Sequence, residues 1–488
     1  MQSDRPQSWS FFSLIVIIGT LEVKAKMLSK EECEVLLQRC LKGNADFAEI
    51  FEEDTVSEGI SMVDGEIEEV NRIVRAGVGI RLYKDVQSVY GYTNELDMTS
   101  LNTLIDGLRD AFGQADHEKE VHLEKVEIDN RHPVQVDPIE APLSQKAQLL
   151  MKGYQAAKQC DQRIVKVTGS LSSVHQNVQI ANTEGRLVQD TRVRTRLAIS
   201  AYAQEGENMQ SGNDSPGASQ GLEFYALRTP ESIGKEAARS ALVLLEAQDC
   251  PSGKMPVIID NGFGGVIFHE ACGHSLEATS VAKNQSVFTG KLGQVIASPC
   301  VTAIDDGTIP NAWGSENVDD EGSPQQKRVL IRNGVLENYM VDRLNGRRMN
   351  HSSTGSARRQ SYKFEPTSRM TNTYIAPGKD KFEDMFKGIE KGLYARKMGG
   401  GSVNPQTGEF NFAVNEGYLI ENGKITKPVK GASLIGNGKE ILMDIDRVSD
   451  NLSRAQGMCG SSSGSIPVDV GQPAIRVSKI TVGGTAHE

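Results

Sequence analysis

The sequence predicts an α+β fold, with mixed helices and largely antiparallel sheets shared between an N-terminal domain and a β-rich C-terminal domain. Three observations lead there. Amphipathic runs at helical spacing are few and separated. Most of the remaining apolar sequence alternates with period two, the pattern of half-buried strands. The alternating runs are joined by Asp-Gly and Asn-Gly pairs, which favour two-residue hairpins because glycine accepts positive φ at little cost. A length of 488 residues leaves room for two or three domains.

The first folded element is expected just after Met27. Ser29 and Glu32 form a capping box, Leu28 precedes it as a staple residue, and Val35, Leu36 and Leu41 continue a helix that Gly43 can end. A hairpin follows, Gly59–Val63 meeting Glu66–Val70 across Asp64-Gly65, and residues 77–92 alternate again. Ser100–Phe112 is a helix with Leu101, Leu104, Ile105, Leu108 and Phe112 on one face. Residues 115–142, with three prolines, form a connection. A helix over 144–159, strands within 163–204, a mobile Gly/Ser/Asn-rich loop over 205–221 and a helix over 230–247 complete an N-terminal domain of residues 27–248.

The C-terminal domain, residues 249–488, opens with the buried strand Pro256–Ile259 and the turn Asn261–Gly265. A helix is expected from Val266. Two Asn-Gly hairpins, Val329–Glu337 and Tyr418–Ile425, make this half β-rich.

Charge and composition narrow the function. The formal net charge is -11, which argues against nucleic acid as a partner, since phosphate binding needs clustered Lys and Arg. The nearest basic cluster, Arg347, Arg348, Arg358 and Arg359, reads as a solvated loop. The seven cysteines are odd in number and include no C-x-x-C pair, so a reducing, cytoplasmic setting is expected. Residues 1–26 stand apart. Their apolar run Phe11–Leu21 is shorter than the about 20 residues that span a bilayer, so no membrane anchor is expected. Asp4 offsets Arg5, and no small-x-small cleavage site follows. They read as an upstream-start extension, with an exporting signal peptide as the alternative.

The chemistry concentrates in His269-Glu270-Ala271-Cys272-Gly273-His274. Zinc hydrolases combine imidazole or thiolate ligands, a coordination position left open for water, and a carboxylate beside that water. The familiar helical motif places two histidines four residues apart; here the spacing is five. On a regular helix of about 3.6 residues per turn this separates the side chains by roughly 140°. A shared ion therefore requires a widened turn, a π-bulge near Gly273. Cys272 reads as a core residue. Cys459, in the Gly- and Ser-rich stretch Gly457–Gly464, is the better third ligand, the alternative being a free loop cysteine. A fourth ligand, from Cys272 or His351, would instead favour a closed structural site. The competing functions are then a peptide-binding module with structural zinc and a zinc hydrolase of non-peptide amides or esters.

The chain resembles the TldD/PmbA family of metallopeptidases, and within it the TldD-like, metal-bearing branch. The resemblance rests on Phe268–Ala278, Ser353–Tyr362, Gly399–Gly401, the stretch from Phe410 to Ile425, and Gly457–Cys459, and it extends from about Leu28 nearly to the C-terminus. It implies a zinc ion held by His269, His274 and Cys459, with Glu270 as catalytic acid/base. It also implies unfolded or short peptides as substrates, including precursors of peptide antibiotics and antitoxins. The expected assembly is a dimer enclosing the active site, either two copies of this chain or a heterodimer with a PmbA-like (TldE) subunit. An extended substrate is expected to add to a sheet edge formed by Gly399, Gly400, Gly401 and the strand around Phe410 and Phe412.

Overall fold

The structure is a computed structural model that describes residues 27–113, 119–404 and 407–485. Residues 1–26, read as an upstream-start extension or, alternatively, a leader, lie outside the described residues, as does part of the 115–142 connection. Helix α1 (Lys30–Leu41) begins at the expected capping box: the Glu32 amide donates to Ser29 Oγ at 3.1 Å, and the Ser29 amide donates to the Glu32 carboxylate at 2.7 Å. Strands β1 (Phe47–Val63) and β2 (Glu66–Lys84) form the long hairpin, with Asp64 and Gly65 both at positive φ, as a type I′ turn requires.

One antiparallel sheet organises the first half. Its backbone is β3 (Gln87–Thr93), β2, β1, β4 (Ile164–Asn182) and β5 (Arg186–Glu205), in that order. Helix α2 (Met98–Asp110) joins α1 over one part of it, where Leu36, Leu37, Ile50, Ile80, Leu101 and Ile105 share a core. Helices α3 (Leu143–Lys158) and α4 (Pro230–Leu245) close a second core with Leu171, Leu197 and Ile199. They approach so tightly that a Cβ on Gly234 would lie 2.0 Å from the Gly153 carbonyl oxygen.

Residues 205–221 depart from expectation. Asn208–Asp214 is not a free loop but strand β6, paired antiparallel with β5 from Glu205↔Asn208 to Ile199↔Asp214. Its polar residues have low strand preference, and the available edge of β5 overrides it.

In the second half, five strands close on themselves. They are β7 (Gly253–Ile259), β12 (Lys391–Val403), β13 (Glu409–Glu421), β15 (Ala432–Asn437) and β18 (Ile475–Gly483). Strand β14 (Lys424–Lys430) extends β13 through the second Asn-Gly hairpin, with Asn422 and Gly423 at positive φ. Val257, Leu393, Phe412, Leu434 and Val477 fill the core of this ring. A further sheet runs β10 (Val335–Leu336), β9 (Lys327–Arg332), β8 (Ala303–Asp306), β11 (Asn372–Ile375), β17 (Gly464–Gln472) and β16 (Ser453–Ser461). Its β9–β10 turn is the other expected Asn-Gly hairpin. The fold is α+β with mostly antiparallel pairing, as expected. Among the described residues no helix is long and apolar enough to cross a membrane.

The basic cluster is the largest departure. Arg358 and Arg359 are buried rather than solvated; Arg358 pairs with Glu316 at 3.2 Å and Arg359 with Glu49 at 2.9 Å. Arg347 lies nearer the surface, against Asp46 at 2.5 Å and over the rings of Phe47 and Tyr83. The carboxylates that neutralise these arginines are distant in sequence, so no local signal reveals the burial.

Candidate metal centre

The histidine segment is seated by glycine. After β7 the chain makes a tight turn over Gly262–Gly265, and a Cβ on Gly265 would lie 2.4 Å from the Gly471 amide nitrogen. The segment therefore starts in backbone contact with β17, the strand beside β16. Residues Val266–Phe268 are α-helical, His269–Gly273 form a π-turn, and His274–Leu276 tighten into a 3₁₀ turn. The widened turn inferred from the five-residue spacing is present. It reduces the angular offset between His269 and His274 that a regular helix would impose. Gly273 has a second reason to lack a side chain: a Cβ there would sit 2.3 Å from Met370 Sδ.

Cys459 arrives from β16, where it pairs with Ile466 of β17. It stands in a regular strand, not in the flexible loop that its glycine and serine neighbours suggest. Its Sγ lies 3.3 Å from His269 Nε2 and 3.4 Å from His274 Nε2. The ligand atoms of these three residues all fall within 4.8 Å of one another, the one such His/Cys/Asp/Glu cluster among the described residues. Burial pushes the Cys459 thiol up, but the hydrogen bonds and charges of His269 and His274 outweigh it and bring the pKa down to about 4. The favoured thiolate is the form that ligates metal. Two imidazole nitrogens and a thiolate converging on one point are a donor set that suits zinc.

The surroundings favour that ion too. Glu277 is buried, accepts from His274 Nδ1 at 3.1 Å and receives the Met370 amide at 3.3 Å. A carboxylate behind a ligating imidazole fixes the ring and its tautomer. Burial opposes the charged form of His274, but Glu277 and Cys459 overcome it and raise its pKa. His269 Nδ1 is buried and has no hydrogen-bond partner among the described residues. Arg369, fully buried, ties the halves together: its Nη2 donates to the Cys459 carbonyl at 2.6 Å, while its Nε lies 4.0 Å from Glu277. Sequence reasoning assigned no role to Glu277 or Arg369. Glu277 sits three residues past His274, a helical-neighbour spacing that could have flagged it. Arg369 carries no local signal.

Glu270 is beside the donors, its Oε2 3.6 Å from His274 Nε2, and its side chain is 31% exposed. Neither suggested fourth ligand joins the cluster. Cys272 is a core residue whose Sγ donates to the Gly438 carbonyl, and His351 is exposed with its ring against the Ser352 carbonyl.

The proposed substrate residues divide. Gly399 and Gly400 line a cavity of about 1380 Å³ that also borders Gly457 and Met458, next to Cys459. They bulge out of the β12–β13 ladder between Met398 and Gly401, and a Cβ on Gly400 would meet nothing within 4 Å. Beyond Ala395, β12 pairs only with β13 among the described residues, so its other edge carries no further strand there. The strand around Phe410 and Phe412 is not an edge, contrary to expectation. It is hydrogen-bonded to β12 on one side and β15 on the other, and both rings are buried. Gly401 is enclosed as well, a Cβ there lying 2.3 Å from the Asn411 carbonyl oxygen.

Comparisons with known proteins agree with this architecture. Three family models match: PmbA/TldA metallopeptidase domain 1 over residues 48–116, the central domain over 136–245 and the C-terminal domain over 252–484. A Haemophilus influenzae protein named metalloprotease TldD homolog is 39% identical, covering 91% of this chain and 94% of its own. A Saccharolobus solfataricus protein named zinc metalloprotease TldD homolog is 33% identical, covering 48% of this chain and 52% of its own. The structure of TldE from Thermococcus kodakarensis superposes with a TM-score of 0.72 at 20% identity, covering 93% of this chain and all of that one, and so supports the fold. The chain belongs to the TldD/PmbA family of metalloproteases.

Proposed function

We propose that this chain is a zinc-dependent peptidase that hydrolyses unfolded or short peptides, with His269, His274 and Cys459 as metal ligands and Glu270 as general base. The carrying observation is the convergence of those three donors within 4.8 Å beside a carboxylate that reaches solvent. A zinc ion bound there supplies Lewis acidity for a carbonyl and lowers the pKa of water from 15.7 to about 7. The chain's own residues do the rest. Glu270 takes the proton of the attacking water and returns it to the leaving amine. Glu277 holds His274 in orientation, and Arg369 fixes the Cys459 backbone. Three ligands, without a fourth in the cluster, fit a catalytic rather than a closed site.

The substrate binds extended along the unpaired edge of β12, where Gly400 lets its backbone approach; the bare Cα of Gly399 is needed instead by Asn415, whose Oδ1 a Cβ would meet at 2.4 Å. This reading divides the chain near residue 248, with residues 249–488 carrying the chemistry. It pairs the chain with a second copy or with a TldE-like subunit, and places it in the reducing cytoplasm, consistent with seven unpaired cysteines.

The test is zinc content and cleavage of an unstructured peptide mixture, for the unaltered chain and Cys459→Ala. The expected result is near one zinc per chain, with both zinc and cleavage reduced by the substitution. Full zinc and full cleavage without Cys459 would refute the ligand assignment.

A further inference from the structure

The cavity beside the candidate centre is lined by seven Lys and Arg side chains but only three carboxylates, in a protein whose net charge is -11. Most of those cations are spoken for. Arg228 pairs with Asp214 at 2.6 Å. Arg239, Arg396 and Lys397 share Glu236 and the buried Glu416. Asp260, the remaining carboxylate of the lining, accepts from the Tyr394 hydroxyl.

Three cations are left in surplus. Lys235 is exposed and has no carboxylate within ion-pair distance among the described residues. Arg454 and Arg196 both lie near a single carboxylate, Asp469, which is 3.7 Å from Arg454 Nη1. Arg196 is half-buried, and its partners are neutral: the Ser215 carbonyl at 2.9 Å, the Ser215 hydroxyl at 3.0 Å and the Gln456 carbonyl at 3.3 Å. Its ring neighbour is Trp313, at 5.7 Å. Its Nη1 makes no hydrogen bond among the described residues, and burial disfavours a guanidinium held in this way. A guanidinium on a cavity wall, positioned by neutral acceptors and with one nitrogen making no hydrogen bond among the described residues, can receive a carboxylate.

We infer that Arg196, with Arg454 and Lys235, forms a carboxylate-recognition subsite, so that the peptides preferred here carry an acidic group about three residues from the bond cleaved. The spacing follows from the strand. Arg196 contacts Gln456, three residues before Cys459 on β16, and three strand residues span roughly 10 Å. A peptide on the edge of β12 crosses the cavity that Gln456, Gly457 and Met458 of β16 also line, and in extended form it covers that distance with about three residues. The acidic group is either a side chain or the C-terminal carboxylate, since the guanidinium recognises both alike. The inference rests on the peptidase reading for the position of the cleaved bond, but not for the binding of the anion.

Fluorescence anisotropy of labelled peptides on the zinc-loaded full chain tests it, using Glu270→Gln to prevent turnover. Two matched pairs are needed: one differing only in C-terminal carboxylate against amide, the other only in a Glu against Gln side chain. At least one acidic member should bind roughly tenfold more tightly than its neutral match, the factor of one charge-assisted hydrogen bond. Whichever pair shows the contrast identifies the source of the carboxylate. The contrast should shrink as salt is raised, vanish in Arg196→Gln and partly return in Arg196→Lys. The salt series keeps the test valid if Arg196→Gln does not fold. Equal affinities in both pairs would overturn the subsite. A chain that shows the contrast yet cleaves no peptide when Glu270 is intact would overturn the peptidase reading alone.

Discussion

Two buried polar constructions sit close together in this molecule and are built on opposite rules. At the candidate metal centre, two histidines and a cysteine converge beside the Glu270 carboxylate. At the seam between the first sheet and the second half, arginines and carboxylates interlock. Arg192 and Arg194 of β5 and Arg358 surround Glu316, at 3.6, 3.0 and 3.2 Å. Arg81 of β2 pairs with Glu49 and Glu321. Against the upward push of burial, Arg192, Arg358 and Arg194 hold Glu316 low. Burial, helped by Glu321, lifts Asp319 to about 8. The seam turns its charges on one another; the centre brings two imidazoles and a sulfur to one point. Burial of polar groups is therefore not the mark of function here. What separates the two regions is the kind of group gathered: the seam sets guanidinium against carboxylate, whereas the centre gathers two imidazoles and a thiol, side chains able to share an ion.

That contrast can be broken experimentally. Glu270→Gln should leave zinc content unchanged and slow peptide cleavage by about 10²–10⁴-fold, the usual contribution of a positioned acid/base. Unimpaired cleavage would remove the one carboxylate that distinguishes the open centre from a closed one. Arg358→Ala should lower unfolding free energy by about 3–5 kcal/mol, because Glu316 would lose one of the guanidinia that offset its burial. A urea midpoint matching that of the unaltered chain would show that the seam tolerates an unbalanced charge. Glu277→Gln should weaken zinc binding about 10–100-fold without unfolding the protein, as loss of a partner behind a ligating histidine does. If competition with a chelator finds no change, Glu277 belongs with the seam rather than the centre.

A pH series sharpens the comparison by the smallest margin. Burial raises Glu52 and Glu53 to about 7 and Asp469 to about 6, so between pH 4.5 and 7 these three groups bind more protons in the folded chain than in the unfolded one. Stability from these groups should rise as pH falls from about 8 to 5, at up to about 1.4 kcal/mol per unit per group. His132 and Cys459 work against this trend: burial lowers the pKa of His132, and Cys459, despite burial, is held at about 4 by the two histidines, so that the unfolded chain carries its proton across this interval. Metal-stripped protein is the right sample, since acid also protonates the ligands. A urea midpoint that drops over the same interval would contradict the assignment.

Much of this was legible in the sequence where the governing contacts are local. The Ser29–Glu32 capping box, the Asp64-Gly65 and Asn-Gly hairpins and the widened turn at His269–Gly273 all follow from neighbours a few residues apart. Cys459 was named as a ligand candidate, but its place in a strand was missed because glycine and serine disguise the pairing with β17. Phe410 and Phe412 looked like an edge because alternation reports which side chains are buried, not whether a strand has neighbours on both sides. Arg358, Arg359 and Arg369 escaped for the opposite reason: each meets partners that sequence distance conceals, Cys459 lying 90 residues beyond Arg369.

The thiolate also reaches the histidines from far along the chain, 185 residues after His274. During synthesis at about 5–20 residues per second, both histidines wait roughly 10–40 s before Cys459 exists. Strand β17, which seats both Gly265 and Cys459, follows later still. The three-ligand centre is thus absent from the growing polypeptide until β16 and β17 have been made, and a chain shorter than that is denied it throughout the time when its own segments are least protected.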